Sequence, residues 1–220
     1  MEKKIKIVKI LEPNISNNLV KKEYFDFELK DEDEVVHEHV LNCIIEYQNA
    51  DKLIFKDSVF ENVVFKNIEF SRADFENIVF ENCDLSNINF NGSIFHRVLF
   101  DNCKLMGSDF SESSFQNVSI LNSNGEYTNF KFSQLKKVKL ESMNLRYSDF
   151  QESKLKDMIF RQSDIRSSQF SGVCLKEIDF TDCDIEGIGV SICDIKGAIV
   201  SSKQAVTLAK MLGIVIKDSI

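Results

Sequence analysis

The side chains that could carry out chemistry are few, and the clearest group is His37-Glu38-His39 near the start of the chain. Two histidines around a carboxylate supply donor atoms that zinc accepts. No cysteine pair with ligand spacing accompanies them, so we interpret the group as a solvated strand end. The third histidine, His96, is isolated beside Arg97. We therefore expect neither a metal nor another cofactor.

The six cysteines are the other reactive group, and they are expected to stay reduced. The basic start of the chain is interrupted by isoleucines and lacks the apolar run of a secretory signal. No apolar run approaches the ~18 residues that span a membrane. The sequence thus predicts a cytoplasmic protein without disulfides. It contains no triad or phosphate loop, so we expect no enzyme.

The chain is organised by a repeat of five residues. From 55 to 200, residues whose numbers are divisible by five are apolar at 29 of 30 positions, and 16 of the 19 phenylalanines lie there. The exception is Gly125. A second slot, two residues earlier, holds mostly small or aliphatic residues, and the same phase extends weakly upstream to Val35. This period fits neither a helix nor a flat strand, so the chain must turn a corner once per repeat.

One large and one small inward residue in every five predict one side of a square coil. Four sides complete a coil, so residues twenty apart stack at the strand spacing of about 4.8 Å. The sequence therefore predicts an all-β fold, a right-handed quadrilateral β-helix over 34–202, whose filled core leaves little room for a ligand. The flanking parts, 1–33 and 203–220, are interpreted as caps. Below, the first, second, third and fourth sides are the segments centred on 55, 60, 65 and 70 and on every twentieth residue after them.

The cysteines follow from this architecture. Five of them occupy the small inward slot and are interpreted as packing residues, and two stacked ones are close enough for oxidation to link them in vitro. Cys174 lies in an outward slot and is expected to be the most reactive thiol. The five inward cysteines are Cys43, Cys83, Cys103, Cys183 and Cys193.

The repeats resemble a known family. Ala73-Asp74-Phe75-Glu76-Asn77 follows the A(D/N)LXX pattern of pentapeptide repeat proteins, and the resemblance covers roughly 34–202. A narrower resemblance, to Qnr-type quinolone-resistance proteins of Gram-positive bacteria, is carried by 95–98, 103–110 and 202–216. It implies a dimeric, DNA-mimicking rod that binds the type II topoisomerases DNA gyrase and topoisomerase IV and modulates fluoroquinolone susceptibility. The register from 55 to 200 has no insertion, so the protective loops of Gram-negative Qnr-type proteins are not expected.

Charge is uneven around the predicted rod. Over 53–202 the net charge is +2, −4, −1 and −3 on the first to fourth sides. Stacked like charges destabilise a sheet, so the acids on the second and fourth sides are interpreted as a surface for a basic partner. Solubility is the alternative interpretation. The candidate partner-binding residues are Glu61, Glu81, Asp101, Asp109, Glu112, Asp149, Glu152, Asp179 and Asp182.

The net charge and length of the predicted rod limit how closely it can mimic duplex DNA. The net charge of −8 argues against direct binding to nucleic acid or to an anionic membrane. Between 35 and 200 the 34 repeats give roughly 41 Å of rod. A duplex of that length carries about 24 phosphates, whereas 53–202 holds 22 acidic and 16 basic residues. Any mimicry must therefore rest on shape and local patches.

The two ends are predicted to be capped. Alternation over Lys4–Ile10 predicts a strand that covers the first coil. The acidic run 31–34 predicts a solvated loop or, alternatively, a segment that binds a partner. An apolar outward strip of Val59, Val79 and Leu99 is expected to receive this strand or, alternatively, a partner.

The tail predicts a helix with a Ser201–Gln204 capping box and a stop at Gly213, followed by a short strand. Its apolar residues predict a cap on the last coil, a contact between two copies, or both. These residues are Ala205, Val206, Leu208, Ala209, Leu212, Ile214 and Ile216.

Two further expectations concern the middle of the rod and its role. Gly125 leaves the central slot without a large side chain, so an irregularity or bend is predicted between 122 and 132. The function predicted first is a non-enzymatic, DNA-mimicking binder of a type II topoisomerase. The alternative is a pentapeptide-repeat interaction scaffold or a toxin-immunity protein that makes no topoisomerase contact.

Overall fold

A computed structural model describes residues 8–24, 28–48, 50–211 and 213–217. The predicted fold class is confirmed: the chain is a parallel β-solenoid that ends in one short helix. Its strands and helix are β1 (Val20–Lys22), β2 (Glu34–Val36), β3 (Glu38–Leu41), β4 (Ile44–Glu46), β5 (Ile54–Glu61), β6 (Val64–Lys66), β7 (Asp74–Glu81), β8 (Ile94–Asp101), β9 (Ser114–Leu121), β10 (Gln134–Glu141), β11 (Lys154–Lys156), β12 (Ile159–Arg161) and α1 (Ser202–Met211).

Each coil lies in parallel register on the next with an offset of twenty residues. Phe55 is paired with Phe75, Phe75 with Phe95, and Phe95 with Phe115. On the first and second sides the segments join into the long strands β5 and β7–β10. On the third and fourth sides single bridges alternate with turns, as between Asn89 and Asp109.

Each corner from Glu32 to Glu177 is made by a residue with positive φ. In the coil 53–72 the corner residues have φ between 48° and 57°. Asparagine adopts this left-handed conformation more easily than most residues, which explains why it recurs at the corners. These four corner residues are Asp57, Asn62, Asn67 and Arg72.

The core is a set of ring stacks that run along the rod axis. Phenylalanines in the same slot of successive coils have centroids 4.7–5.7 Å apart; Phe95 and Phe115 are stacked, and Phe70 and Phe90 are tilted by 31°. Inward serines satisfy buried carbonyls beside them: Ser93 Oγ donates to the carbonyl of Phe70 at 2.6 Å. The rings fill the interior of these coils, as the repeat pattern predicts.

The bend expected around Gly125 was a wrong prediction. Gly125 N donates to the carbonyl of Asn144 at 2.8 Å, and Asn124 N donates to that of Cys103 at 3.0 Å, so coil-to-coil bonding continues without interruption. A Cβ on Gly125 would lie 3.0 Å from Leu145 Cδ2 and 3.4 Å from the Thr128 methyl group. Neighbouring side chains therefore occupy the slot that the missing side chain leaves.

The irregular coil is instead the last one, 191–197. Elsewhere a backbone donor reaches a carbonyl 19 residues ahead, as Tyr147 N does to Arg166 O, but Glu177 N reaches Gly197 O. The bonds on either side, from Leu175 N to Asp194 O and from Phe180 N to Ile199 O, keep the offset of 19, so the shift is local. Cys193 is exposed, so the burial predicted from its slot was wrong. Ile195 is only half-buried.

The N-terminal cap differs from the predicted one. Most of the strand predicted over Lys4–Ile10 lies outside the described residues, and Val8 to Ile10 form no strand. The strand that covers the first coil is β1, which pairs in parallel with β3. Upstream of β1 the chain runs along the rod, as described below.

Candidate protein-binding surface

The acidic ladder of the second side exists, and two of its three carboxylates are hydrogen-bonded to neighbouring side chains. Glu61, Glu81 and Asp101 are direct partners in neighbouring strands, as their spacing predicts. His39 Nε2 lies 2.9 Å from Glu61 Oε2, and Asn122 Nδ2 donates to Asp101 Oδ1 at 2.8 Å. Within the described residues only Glu81 has no such partner, so two of the three carboxylates have an acceptor oxygen already in use.

The N-terminal segment 11–14 lies along the same side of the rod. Leu11 N donates to Asn117 Oδ1 at 3.4 Å, Ser119 Oγ donates to Glu12 Oε1 at 3.4 Å, and Asn14 N donates to Asn77 Oδ1 at 3.5 Å. These contacts span three coils.

Asn117 and Ser119 point outward in the repeat, yet they are only 4% and 1% exposed. Ser119 continues the ladder of the apolar strip, directly after Leu99. Val59, Val79 and Leu99 are themselves half-buried. The N-terminal segment 11–14 thus runs beside this strip, whereas most of the strand expected to cover it, Lys4–Ile10, lies outside the described residues.

Three acids of the candidate set hold turns, a role that the sequence analysis missed. Asp109 Oδ1 accepts from Ser111 N at 2.9 Å, Asp149 Oδ1 accepts from Gln151 N at 3.0 Å, and Asp179 Oδ1 accepts from Thr181 N at 2.9 Å. Asparagine fills the same slot and role elsewhere. The signal was present in the alternation of Asp and Asn one residue before the central slot, because both side chains can accept this bond.

Asp164 and Asp184 form a further stack on the third side, and Arg166 pairs with both of them. Arg166 lies between them, with Nη2 2.5 Å from Asp164 Oδ2 and Nε 3.4 Å from Asp184 Oδ2. The hydrogen bond from Arg166 lowers the pKa of Asp164 below its ordinary value. This stack therefore stabilises its own side and is no free anionic patch.

The remaining acids of the candidate set lie on exposed corners. Glu112 and Glu152 have φ of 60° and 57° and belong to the fourth side. Both are exposed, and no ion pair of either is found in the described part of the chain. Asp182, on the second side, is also exposed, and its Oδ1 lies 3.6 Å from Cys183 Sγ. Glu112 and Glu152 are therefore exposed carboxylates of the fourth side, as Glu81 and Asp182 are of the second.

No metal or catalytic centre was found in the described residues. His37 lies at an exposed corner with φ of 59°, and His39 contacts Glu61. Among the described residues no three His, Cys, Asp or Glu side chains are arranged to hold a metal ion. No described helix has the length and apolarity needed to cross a membrane.

The predicted capping box of α1 is present. Ser201 N donates to Gln204 Oε1 at 2.7 Å, and Gln204 N donates to Ser201 Oγ at 3.3 Å. The Gln204 side chain also donates to the carbonyls of Phe180 and Cys183 at 2.7 and 2.8 Å, which seals the last coils. Gly213 ends the helix with φ of 77°.

The apolar residues of the tail divide into two groups. Leu208 packs against the core, and Ala209 is half-buried. Exposed are Ala205, Val206, Ile214 and Ile216, together with Val215, which is 82% exposed. Leu212 lies outside the described residues. The short strand predicted after the helix is not formed in 213–217.

A four-sided parallel coil with a five-residue repeat defines a class of solenoid proteins. The profile of the pentapeptide repeat region matches residues 93–170, and the profile of pentapeptide repeats in nine copies matches 60–104. The chain belongs to the pentapeptide repeat family. No curated protein matches it.

Solved structures of this family are similar to the chain. Trypsin-treated QnrB1, a plasmid-mediated fluoroquinolone resistance protein, is 23% identical and has a TM-score of 0.48, with 87% of this chain and 100% of that chain covered. HetL, involved in heterocyst differentiation regulation in Nostoc sp. strain PCC 7120, is 13% identical with a TM-score of 0.37, over 78% and 91% of the two chains. The family assignment rests on the repeat profiles and not on these similarities.

Proposed function

We propose that the protein is a non-catalytic, acidic rod that binds a type II topoisomerase and modulates its response to fluoroquinolones. The sequence resemblance of 95–98, 103–110 and 202–216 to Qnr-type proteins points to this partner. The proposal places the protein in the cytoplasm with its partner. An acidic, duplex-sized rod suits the basic groove that a topoisomerase uses for DNA.

The observation that carries the proposal is the free acidic surface of the fourth side. Glu112 and Glu152 are exposed on one corner of the rod and no ion pair of theirs is found among the described residues. The core behind them is filled by rings such as Phe110 and Phe130, with centroids 5.1 Å apart. A surface contact is therefore the mode of action that this part of the rod supports.

A second copy is part of the proposal. Val206 of α1 and Ile214 and Val215, which follow the helix, are exposed. Burying them against the same residues of a second copy would form a two-fold contact. Such a dimer would double the rod to roughly 80 Å.

The proposal is tested with DNA supercoiling by purified gyrase, titrated with the full-length protein in the presence and absence of a fluoroquinolone. We expect inhibition of supercoiling, rescue from the drug, or both. Replacing Glu112 and Glu152 by lysine should abolish the effect, whereas Glu177→Lys is the matched control, because Glu177 is exposed at an equivalent corner with φ of 67°. An unchanged supercoiling rate at tens of micromolar protein would contradict the proposal.

A further inference from the structure

Three large aromatic side chains are exposed at corners of the middle coils. Tyr127, Tyr147 and Phe132 are 56%, 42% and 59% exposed, and their φ values are 62°, 59° and 58°. Side chains with a Cβ disfavour this left-handed conformation, which glycine and asparagine adopt more readily. Asn87 and Gly107 make the corresponding corner in the two preceding coils. The fold itself therefore does not call for aromatic rings at these positions.

The three rings border one acidic side. Tyr127 and Tyr147 stack on the corner where the fourth side begins, with centroids 5.1 Å apart and ring planes 10° apart. Phe132 lies on the corner where the fourth side ends, between Glu112 and Glu152 of the preceding and following coils. These five residues are called the aromatic frame.

The aromatic frame carries net negative charge. The fourth-side segments 108–112, 128–132 and 148–152 contain four acidic residues and one lysine. That lysine, Lys131, is paired with Asp149 at 3.0 Å. Glu112 and Glu152 are left without an ion pair in the region that the structure describes. A partner that docks here must bring positive charge.

The rings themselves suit a cation. Arg146 Cζ lies 5.3 Å from the centroid of the Tyr147 ring, within the ~6 Å range of a cation–π contact. This corner thus already accommodates a guanidinium group from the chain itself. Carboxylates next to such rings can add charge-assisted hydrogen bonds to an incoming arginine or lysine. Tyrosine and arginine are also the residues that dominate the energetics of protein interfaces.

The other acidic side is a weaker candidate. Its Glu61 is paired with His39, and the N-terminal segment contacts Asn77, Asn117 and Ser119 beside the ladder. A partner would have to displace this segment to reach the whole side. The fourth side has no comparable cover in the described residues.

We propose that the aromatic frame is the docking surface for an arginine- or lysine-bearing segment of a protein partner. The identity of that partner as a type II topoisomerase rests on the proposed function, but the docking chemistry does not. Rings and carboxylates together hold a cationic side chain from two directions. The phosphates of a nucleic acid or an anionic lipid surface would be repelled by Glu112 and Glu152.

The test compares two sets of asparagine variants in the full-length protein. The double variant Tyr127→Asn, Phe132→Asn removes two rings and retains a residue that suits the corners. Tyr47→Asn is the matched control, because Tyr47 has φ of 55° and is 71% exposed, four coils away on the same corner as Tyr127.

We expect the double variant to bind purified gyrase about tenfold or more weakly than the wild type, and Tyr47→Asn to bind within about twofold of it. Circular dichroism and thermal melting establish that both variants fold. Wild-type affinity in the folded double variant would overturn the proposal.

A second titration separates this proposal from the proposed function. A short polyarginine peptide is added to labelled protein, and NMR shifts of the rings are followed. If gyrase does not bind but the peptide shifts Tyr127, Phe132 and Tyr147, the topoisomerase proposal fails and the docking surface stands. If the peptide shifts only the region of Glu61 and Glu81, or shifts no residue, the aromatic frame is not the docking surface.

Discussion

Two coils of the rod behave in the opposite way to what their central residues predict. The coil around Gly125 lacks a large central side chain, yet its backbone keeps the register of its neighbours. The coil 191–197 has Ile195 in the central slot, yet the bond from Glu177 N is displaced by one residue, to Gly197 O. Filling the central slot is therefore neither necessary nor sufficient for a regular coil.

The number of neighbouring coils explains the difference. Asn124 and Gly125 bond to the coil below and to the coil above, at 3.0 and 2.8 Å. In the last coil, Ile195 N bonds within the coil itself, to Ser191 O at 3.2 Å. A coil held from both sides keeps its register when one side chain is missing, since each residue is fixed by two rows of hydrogen bonds.

The largest expected effect comes from removing a ring between two regular coils. Phe130 stacks on Phe110 and Phe150 at 5.1 and 4.8 Å. Phe130→Ala should cost about 3–5 kcal/mol of unfolding free energy, because it opens a cavity that rigid coils cannot close. Ile195→Ala, in the same slot of the last coil, should cost less than about 1.5 kcal/mol. Urea unfolding measures both; equal losses would contradict the comparison.

Two cysteines extend the comparison to reactivity. Cys183 and Cys193 share the inward slot, but burial raises the pKa of Cys183 from 9.0 to about 12, whereas Cys193 is exposed. At about pH 8 a thiol reagent should label Cys193 and Cys174 at least about 100-fold faster than Cys183. Mass spectrometry of quenched samples measures the rates. Fast labelling of Cys183 would mean that the last two coils open together.

The same pKa shift gives a pH dependence of stability. The unfolded thiol of Cys183 titrates near 9.0 and the folded one near 12. The unfolded state therefore loses its proton first as the pH rises. The contribution of Cys183 to stability is complete below pH 9 and is lost between pH 9 and 12. Cys183→Ala should flatten the fall in stability over this window.

The fold could be predicted because the residues that determine it recur in every five-residue repeat. The inward slots of the regular coils and the capping box are local signals, and both were confirmed. The register shift at 191–197 could not be predicted, because Ile195 and Cys193 are the residue types that the repeat requires. Whether another coil follows is a tertiary property that residue types do not encode.

Removing the cap of the last coil should cause the next largest loss of stability. Gln204 donates to the carbonyls of Phe180 and Cys183, so Gln204→Ala leaves two buried acceptors unsatisfied. We expect a loss of about 1–3 kcal/mol, with faster hydrogen exchange confined to about the last two coils. Gln116→Ala is the control, because Gln116 is exposed in β9. Exchange that is faster throughout the rod would show that the end is not an independent unit.

Placing a large side chain at position 125 tests whether the central slot of this repeat is empty. Leu145 and Thr128 already approach within 3.0 and 3.4 Å of the position of a Cβ. Gly125→Leu should therefore destabilise the protein by about 1–3 kcal/mol through overpacking. A gain in unfolding free energy would show that the slot is a cavity and that the coil is regular despite a real void.

The candidate site could be predicted only in part. Glu112 and Glu152 were found from the acidity of the fourth side, and they are exposed there. Asp109 and Asp149 were grouped with them, because a count of charge does not distinguish a free carboxylate from one that accepts a turn hydrogen bond. The cover over the second side depends on contacts more than 60 residues apart, such as Asn14 with Asn77, which no local pattern reveals.

The smallest expected effect concerns a corner. If the backbone alone fixes the coil, Phe132 contributes nothing to stability, and its left-handed φ of 58° is a cost. Phe132→Asn should then raise the unfolding free energy, by about 1 kcal/mol or less, as should Tyr47→Asn. Chemical denaturation with a precision of a few tenths of a kcal/mol measures this. A destabilised Phe132→Asn would mean that the ring packs on the rod and that its exposure serves the fold; a stabilised variant that binds its partner poorly would mean that the corner gives up stability for recognition.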